Sequence, residues 1–154
     1  MNRKISCRIS LGICIFFSLL LAVWLFTFPA FFDWFYVTYH HLNALNPTVK
    51  AAIRTVVPTF YACAPFAAIA LFFLIRMLLN IMKDKTFVAQ NVFGLRAVSW
   101  CCYAVTLATF IAGMKYMPLF IVAASSGVVG TLLRVVKNLM QSAVELKEEN
   151  ELTI

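Results

Sequence analysis

Residues 9–32 read ISLGICIFFSLLLAVWLFTFPAFF, a run of 24 residues without a charge between Arg8 and Asp33. A helix that rises about 1.5 Å per residue needs roughly 20 apolar residues to cross the ~30 Å hydrocarbon core of a bilayer. This run is therefore long enough to cross a membrane. It is too long for the core of a signal peptide, and no small-residue cleavage site follows it, so we interpret it as a retained anchor.

Three further uncharged runs follow along the chain. They comprise 21 residues at 55–75 and 18 residues each at 97–114 and 116–133. The last two are short for a crossing helix, but Lys and Arg side chains at their ends can reach the interface. The sequence therefore predicts an all-α, multi-pass fold: a four-helix membrane bundle in a single domain. The predicted spans are about 9–32, 55–79, 95–114 and 116–140, followed by a helical tail at 141–154.

The composition agrees with an environment of lipid. The 154 residues are 63% hydrophobic and 12% charged, with a mean hydropathy of +0.90. Soluble domains are about 45–50% apolar and roughly 25% charged. A water-soluble fold of this length cannot bury so much apolar surface, so the lipid bilayer is an expected partner. The net charge of +7 does not indicate direct nucleic-acid binding, because the basic residues form short clusters beside the apolar runs rather than one patch.

The basic residues are divided unequally between the two sides of the predicted fold. With the N-terminus in the cytoplasm, ten of the thirteen Lys and Arg residues fall on the cytoplasmic side and three on the outer side. Cytoplasmic loops of membrane proteins carry the excess of Lys and Arg. We therefore predict that both ends are cytoplasmic. The ten are Arg3, Lys4, Arg8, Arg76, Lys83, Lys85, Arg96, Arg134, Lys137 and Lys147, and the three are Lys50, Arg54 and Lys115.

The sequence offers no chemistry typical of an enzyme. It contains no glycine-rich phosphate loop, no Ser or Cys nucleophile with a partnered base, and no carboxylate pair beside a cleft. The five cysteines have neither CxxC nor zinc spacing, and the adjacent His40 and His41 lack a third metal ligand at helical or hairpin spacing. We predict a non-enzymatic protein with no catalytic, cofactor-binding or metal-binding residues.

Small residues recur every four positions in the last two runs. Such ladders let transmembrane helices approach each other closely. We interpret them as helix packing within the bundle, and assembly into a homo-oligomer is left open. The residues of the ladders are Ala104, Ala108, Ala112, Ala123, Ser126, Gly127 and Gly130.

Two segments on the cytoplasmic side are candidates for contact with a soluble protein. One is the loop after the second run, which carries two lysines and an aspartate at 83–85. The other is the tail, because apolar residues continue at helical spacing beyond Arg134 and predict a helix that leaves the bilayer. From Glu145 onward, four glutamates are balanced only by Lys147. A solvated helix end and a docking tail for a basic partner both fit this pattern.

Residues 84–96 read DKTFVAQNVFGLR, and residues 143–154 read AVELKEENELTI. In both stretches the chain resembles the DUF2975 family of membrane proteins, in which a Phe, an Asn and a Leu-Arg pair follow the second span. The resemblance implies a bacterial inner-membrane protein whose relatives are often encoded beside a small helix-turn-helix regulator of the Cro/CI type. The matching loop residues are Phe87, Asn91, Leu95 and Arg96.

We therefore predict a membrane protein that anchors or modulates a cytosolic helix-turn-helix transcriptional regulator. A small oligomeric transporter or immunity-type channel is the alternative, although no charged residue lies central to any predicted span. The residues expected to shape or make the partner contact are Phe87, Asn91, Arg96, Glu145, Glu148, Glu149 and Glu151.

Overall fold

The computed structural model describes residues 3–39, 47–83 and 88–152, and nearly all of them are helical. The predicted all-α class is confirmed, with four helices that are each long and apolar enough to cross a membrane, as in a multi-pass membrane protein. The predicted contact residue Phe87 lies outside the described residues. The helices are α1 (Arg3–Tyr39), α2 (Pro47–Met82), α3 (Ala89–Gly113) and α4 (Leu119–Leu152).

The helices form a row in which contacts pass between successive neighbours. Within the described residues α1 contacts α2, α2 contacts α3 and α3 contacts α4, and no other pair of helices meets. The sequence predicted a bundle, whereas the described helices form this open row. Uncharged runs determine how many helices there are, but lipid tails are as apolar as leucine, so nothing obliges the helices to close around a core. Many large apolar side chains are accordingly exposed.

Aromatic side chains hold α1 against α2. The rings of Phe28 and Phe60 are stacked, with centroids 4.1 Å apart and an interplanar angle of 14°. The hydroxyl of Tyr61 donates a hydrogen bond to the backbone carbonyl of Leu25 at 2.6 Å. Aromatic pairs contribute about 0.5–1.5 kcal/mol beyond the area that they bury. These contacts fix the first two helices side by side without a polar core.

Small residues allow α3 and α4 to approach closely. A Cβ atom added to Gly130 would lie 3.1 Å from the Cβ of Cys102, so a larger residue would force the helices to shift. The hydroxyl of Ser99 donates to the carbonyl of Gly130 at 2.9 Å, and that of Ser126 donates to the carbonyl of Cys102 at 2.9 Å. Ala123 is buried on the same helix. The predicted ladder of α4 therefore packs against α3, along what we call the α3–α4 seam.

The alanine ladder of α3 is directed toward a different neighbour. Ala108 and Ala112 line a recess of about 240 Å³ between α2 and α3. Arg54 and Lys115 line the same recess, at the end of the row where α3 leads into α4. Small residues on two faces of α3 thus let it pack against α2 and α4 at once.

Candidate functional site

Two recesses that contain polar side chains lie at the opposite end of the row, where α2 leads into α3. One opens between α2 and α3, and the other between α3 and α4. The predicted contact residues Asn91 and Arg96 line one recess each. Residues five positions apart on an α-helix point about 140° apart, because each residue turns the helix by about 100°. Asn91 therefore lies on the side of α3 that faces α2, and Arg96 lies on the side that faces α4.

The recess between α2 and α3, which we call the asparagine recess, is built around a hydrogen-bonded amide pair of which one member is buried. Asn91 is 1% exposed, and its side-chain oxygen accepts a hydrogen bond from the side-chain amide of Asn80 at 3.0 Å. The backbone N–H of Asn91 donates to the carbonyl of Val88 at 3.0 Å, which forms the first turn of α3. A polar group buried this deeply costs free energy unless it is hydrogen-bonded. The pair therefore joins the end of α2 to the start of α3.

Aromatic rings and a cation complete the asparagine recess, which has a volume of about 110 Å³. The rings of Phe73 and Phe93 meet edge to face, with centroids 5.9 Å apart. A Cβ added to Gly94 would lie 3.9 Å from the Phe73 ring, an ordinary van der Waals distance, so the ring packs against α3 at this position. Arg76 and Gln90 also line the recess, and both are exposed. The end of α2 and the start of α3, which flank the loop between them, are thus packed against each other.

The recess between α3 and α4, which we call the cationic recess, brings three basic side chains together. Arg96, Arg134 and Lys137 line a recess of about 40 Å³, together with Ser99 and Trp100. Arg96 and Arg134 are exposed, whereas Ser99 is 3% exposed. Because like charges repel, this grouping favours an anion between the cations.

Aromatic rings hold Arg134 in this position. Its guanidinium carbon lies 5.3 Å from the centroid of the Trp100 ring and 5.8 Å from that of Tyr103. Such cation–π contacts contribute about 0.5–1 kcal/mol at exposed sites. The hydrogen bond from Ser99 to Gly130 fixes the register of the two helices one turn away. The position of the cations is therefore set by the α3–α4 seam.

Helix α4 is longer than a membrane crossing requires. From Leu119 to Lys137 it rises about 28 Å, close to the ~30 Å hydrocarbon core, and residues 138–152 add about 22 Å. We call residues 138–152 the α4 extension. Val144 within it is 8% exposed, which indicates that the extension packs against the rest of the chain. The extension is thus helical and packs against the rest of the chain at Val144.

Exposed glutamates lie on the α4 extension. Glu145 and Glu149 are exposed, and the side-chain amide of Gln141 donates to the carboxylate of Glu145 at 3.0 Å. Glu148 and Glu151 belong to the same helix, but their side chains lie outside the described ones. The predicted acidic residues are thus on one helix, whereas Asn91 and Arg96 belong to the recesses.

Sequence reasoning missed most of the partners in the two recesses. Asn80, Ser99 and Trp100 were not predicted, and Arg134 was assigned only to topology. The four-residue ladder of α4 was the available signal, because it indicates which face of α4 meets another helix. It does not indicate the register. Once Ser99 is placed against Gly130, Arg134 falls one helical turn later, beside Trp100.

The described part of the chain holds no arrangement typical of a metal site. Among residues 3–39, 47–83 and 88–152, no group of three or more His, Cys, Asp or Glu residues is placed to hold a metal ion. The five cysteines are free thiols on the helices. His40 and His41 lie outside the described residues. The absence of catalytic and cofactor-binding residues stays a prediction.

Comparison with known proteins gives a family match. Residues 20–154 match the model of a family described as a protein of unknown function, DUF2975. The matched range contains both recesses, the α3–α4 seam and the α4 extension. No curated protein and no solved structure matches the chain.

Proposed function

This chain belongs to the DUF2975 family, as the resemblance of its loop and tail indicated, and on that premise we propose that it recruits a cytosolic protein to the membrane. The protein acts without catalysis, and the α4 extension makes the contact. The partner is a protein with a basic surface, and the helix-turn-helix regulator implied by the family resemblance is the candidate.

The observation that carries this proposal is the length of α4, which exceeds what a membrane crossing requires. The helix runs unbroken from Leu119 to Leu152, and its exposed glutamates lie beyond Lys137. Fixing a binding segment as a helix before the partner arrives lowers the entropy lost on association. A preformed acidic helix is therefore better suited to docking than a disordered tail of the same charge.

Charge complementarity favours a basic partner. The C-terminus of a helix carries a partial negative charge from its unsatisfied carbonyl groups, and glutamates there add to it. Glu145 and Glu149 are exposed near this end of α4. Complementary charge mainly raises the association rate and the specificity, and added salt weakens it. We therefore expect salt-sensitive capture of the partner.

The cytoplasmic location of the extension rests on the distribution of Lys and Arg. Ten of the thirteen lie on the side of both chain ends when α1 starts in the cytoplasm. The excess of basic residues is retained on the cytoplasmic side. A bacterial inner membrane is the location that the family resemblance implies.

The test is crosslinked affinity purification from native membranes. The tagged wild-type chain is compared with a variant that combines Glu145→Gln, Glu148→Gln, Glu149→Gln and Glu151→Gln, which preserves side-chain size and helix propensity. A matched control, Asn150→Gln, changes a polar residue of the same helix without changing charge. A chain ending at Ser142 removes the acidic segment altogether.

We expect the wild type and the control to recover one basic soluble protein, and the charge-neutral and shortened chains to lose it while still inserting into the membrane. Recovery of the same protein by the charge-neutral variant would contradict the electrostatic contact. If no form recovers a soluble protein, the extension is a solvated helix end. Solute flux in liposomes would then test the transporter or channel alternative.

A further inference from the structure

The cationic recess carries positive charge that the described part of the chain does not neutralise. Within residues 3–39, 47–83 and 88–152, none of Arg96, Arg134 and Lys137 forms an ion pair. Lys137 donates to the side-chain oxygen of its neighbour Asn138 at 3.1 Å. Asn138 carries no charge, so the net charge of the group stays at three positive. An anionic ligand would relieve this repulsion.

A long apolar groove adjoins the cationic recess between the same two helices. It has a volume of about 710 Å³ and is lined by Phe110 on α3 and by Ala124, Val128 and Leu132 on α4. Ala124, Val128 and Leu132 are exposed, so the groove is open on the α4 side. Nearly all of its lining is apolar. It suits a hydrocarbon chain and offers little to a water-soluble ligand.

Tyr103 connects the recess to the groove. Its ring lies 5.8 Å from the guanidinium carbon of Arg134, a residue that lines the cationic recess. Its hydroxyl lies 3.3 Å from the hydroxyl of Thr131, which lines the apolar groove. The two features therefore share one face of the α3–α4 pair.

The groove starts at Leu132, close to the cationic recess, and extends past the middle of the crossing to Phe120, so a lipid tail from the cationic side enters it at Leu132 and Val128. From Leu132 to Phe120, the groove follows α4 for about 18 Å at about 1.5 Å per residue. Half of the ~30 Å hydrocarbon core is about 15 Å. The cations at one end are then at the depth of lipid phosphates, where an exposed tryptophan such as Trp100 is also favoured.

We propose that the recess and groove together bind one anionic glycerophospholipid. Its phosphate lies among Arg96, Arg134 and Lys137, and one acyl chain lies along the groove. Basic pockets between transmembrane helices favour anionic headgroups, and the adjoining groove selects a phosphate that carries a lipid tail over one free in solution. The site does not depend on the proposed cytosolic partner, which would contact the α4 extension.

The test is native mass spectrometry of the full chain in a mild detergent. The chain is titrated with phosphatidylglycerol and, separately, with phosphatidylcholine of identical acyl chains. We expect the wild type to bind one phosphatidylglycerol with clear preference. Combining Arg134→Gln with Lys137→Gln should weaken that binding roughly 30-fold, since each cation near the bilayer surface contributes about a fivefold change.

Two further variants separate charge at the recess from overall charge and from folding. Combining Arg54→Gln with Lys115→Gln removes the same charge at the other end of the row and should leave the preference unchanged. Ala124→Phe fills the groove at an exposed position without altering charge. It should weaken the binding of both lipids about tenfold. Helical circular dichroism and a single gel-filtration peak identify the variants that fold.

The proposal would be overturned if the wild type and the variant that combines Arg134→Gln with Lys137→Gln (the recess variant) showed an equal preference for phosphatidylglycerol. Displacement of the bound lipid by millimolar inorganic phosphate together with normal binding by Ala124→Phe would also overturn it, because the site would then recognise a soluble phosphate. Loss of the preference in the recess variant alone, with weaker binding of both lipids by Ala124→Phe, would support it.

Discussion

At the scale of single residues, the amide pair of Asn80 and Asn91 determines how α2 passes into α3. Replacing Asn91 with Leu leaves the half-buried side-chain amide of Asn80 without this hydrogen-bond partner, which costs about 1–3 kcal/mol. We expect the free energy of unfolding to fall by that amount in Asn91→Leu, measured by SDS titration in mixed micelles. Gln90→Leu is the matched control. It changes an exposed neighbour in the same recess and should alter stability by less than about 0.5 kcal/mol.

The double variant distinguishes a hydrogen-bonded pair from two independent polar residues. Combining Asn80→Leu with Asn91→Leu removes both partners together, so no unpaired amide remains. The loss in free energy of unfolding should then be smaller in the double variant than the sum of the losses in the two single variants, by about 0.5–3 kcal/mol. Simple additivity within about 0.3 kcal/mol would show that the two residues are not coupled and would contradict the hydrogen bond between them.

At the scale of helices, the α3–α4 seam depends on the absence of a side chain at one position. A Leu at Gly130 would place its Cβ 3.1 Å from the Cβ of Cys102 and force α4 away from α3. Overpacking of this kind costs about 1–3 kcal/mol. We expect Gly130→Leu to lower the free energy of unfolding by that amount, and to weaken any lipid binding that depends on Arg134.

A second glycine provides the control for this prediction. A Cβ added to Gly12 in α1 would meet nothing within 4 Å, so Gly12→Leu tests the helix propensity of the substitution alone. Leucine is favoured over glycine in a helix by somewhat less than 1 kcal/mol. Gly12→Leu should therefore leave the protein equally or more stable. A similar loss of stability in both variants would exclude close packing as the reason for Gly130.

At the scale of the whole molecule, the sequence could predict the helices but not their arrangement. The uncharged runs between Arg8 and Asp33 and between Arg54 and Arg76 are long enough to dictate two helices, whatever packs against them. The open row could not be predicted, since lipid satisfies an apolar face as well as another helix does. The register of α3 against α4 could not be predicted for the same reason.

The candidate site was predictable only where a single residue carried a signal. Arg96 was identified by its place in a loop pattern, and the acidic tail by its charge. The partners of Arg96 across the α3–α4 seam lie more than 30 positions away, and their proximity follows from the contact of Ser99 with Gly130. Asn80 lacked a signal because one asparagine near a helix end is ordinary in sequence.

The proposed contact with a cytosolic protein requires that α3 and α4 cross the membrane and place the α4 extension in the cytoplasm. Single cysteines at Met117, which is 81% exposed between α3 and α4, and at Asn150 test this in a chain whose five native cysteines are replaced by alanine. A membrane-impermeant maleimide is applied to spheroplasts before and after permeabilisation. We predict that Met117→Cys reacts in intact spheroplasts, whereas Asn150→Cys reacts only after permeabilisation. Equal labelling of both positions in intact spheroplasts would contradict the four crossings and the cytoplasmic docking helix.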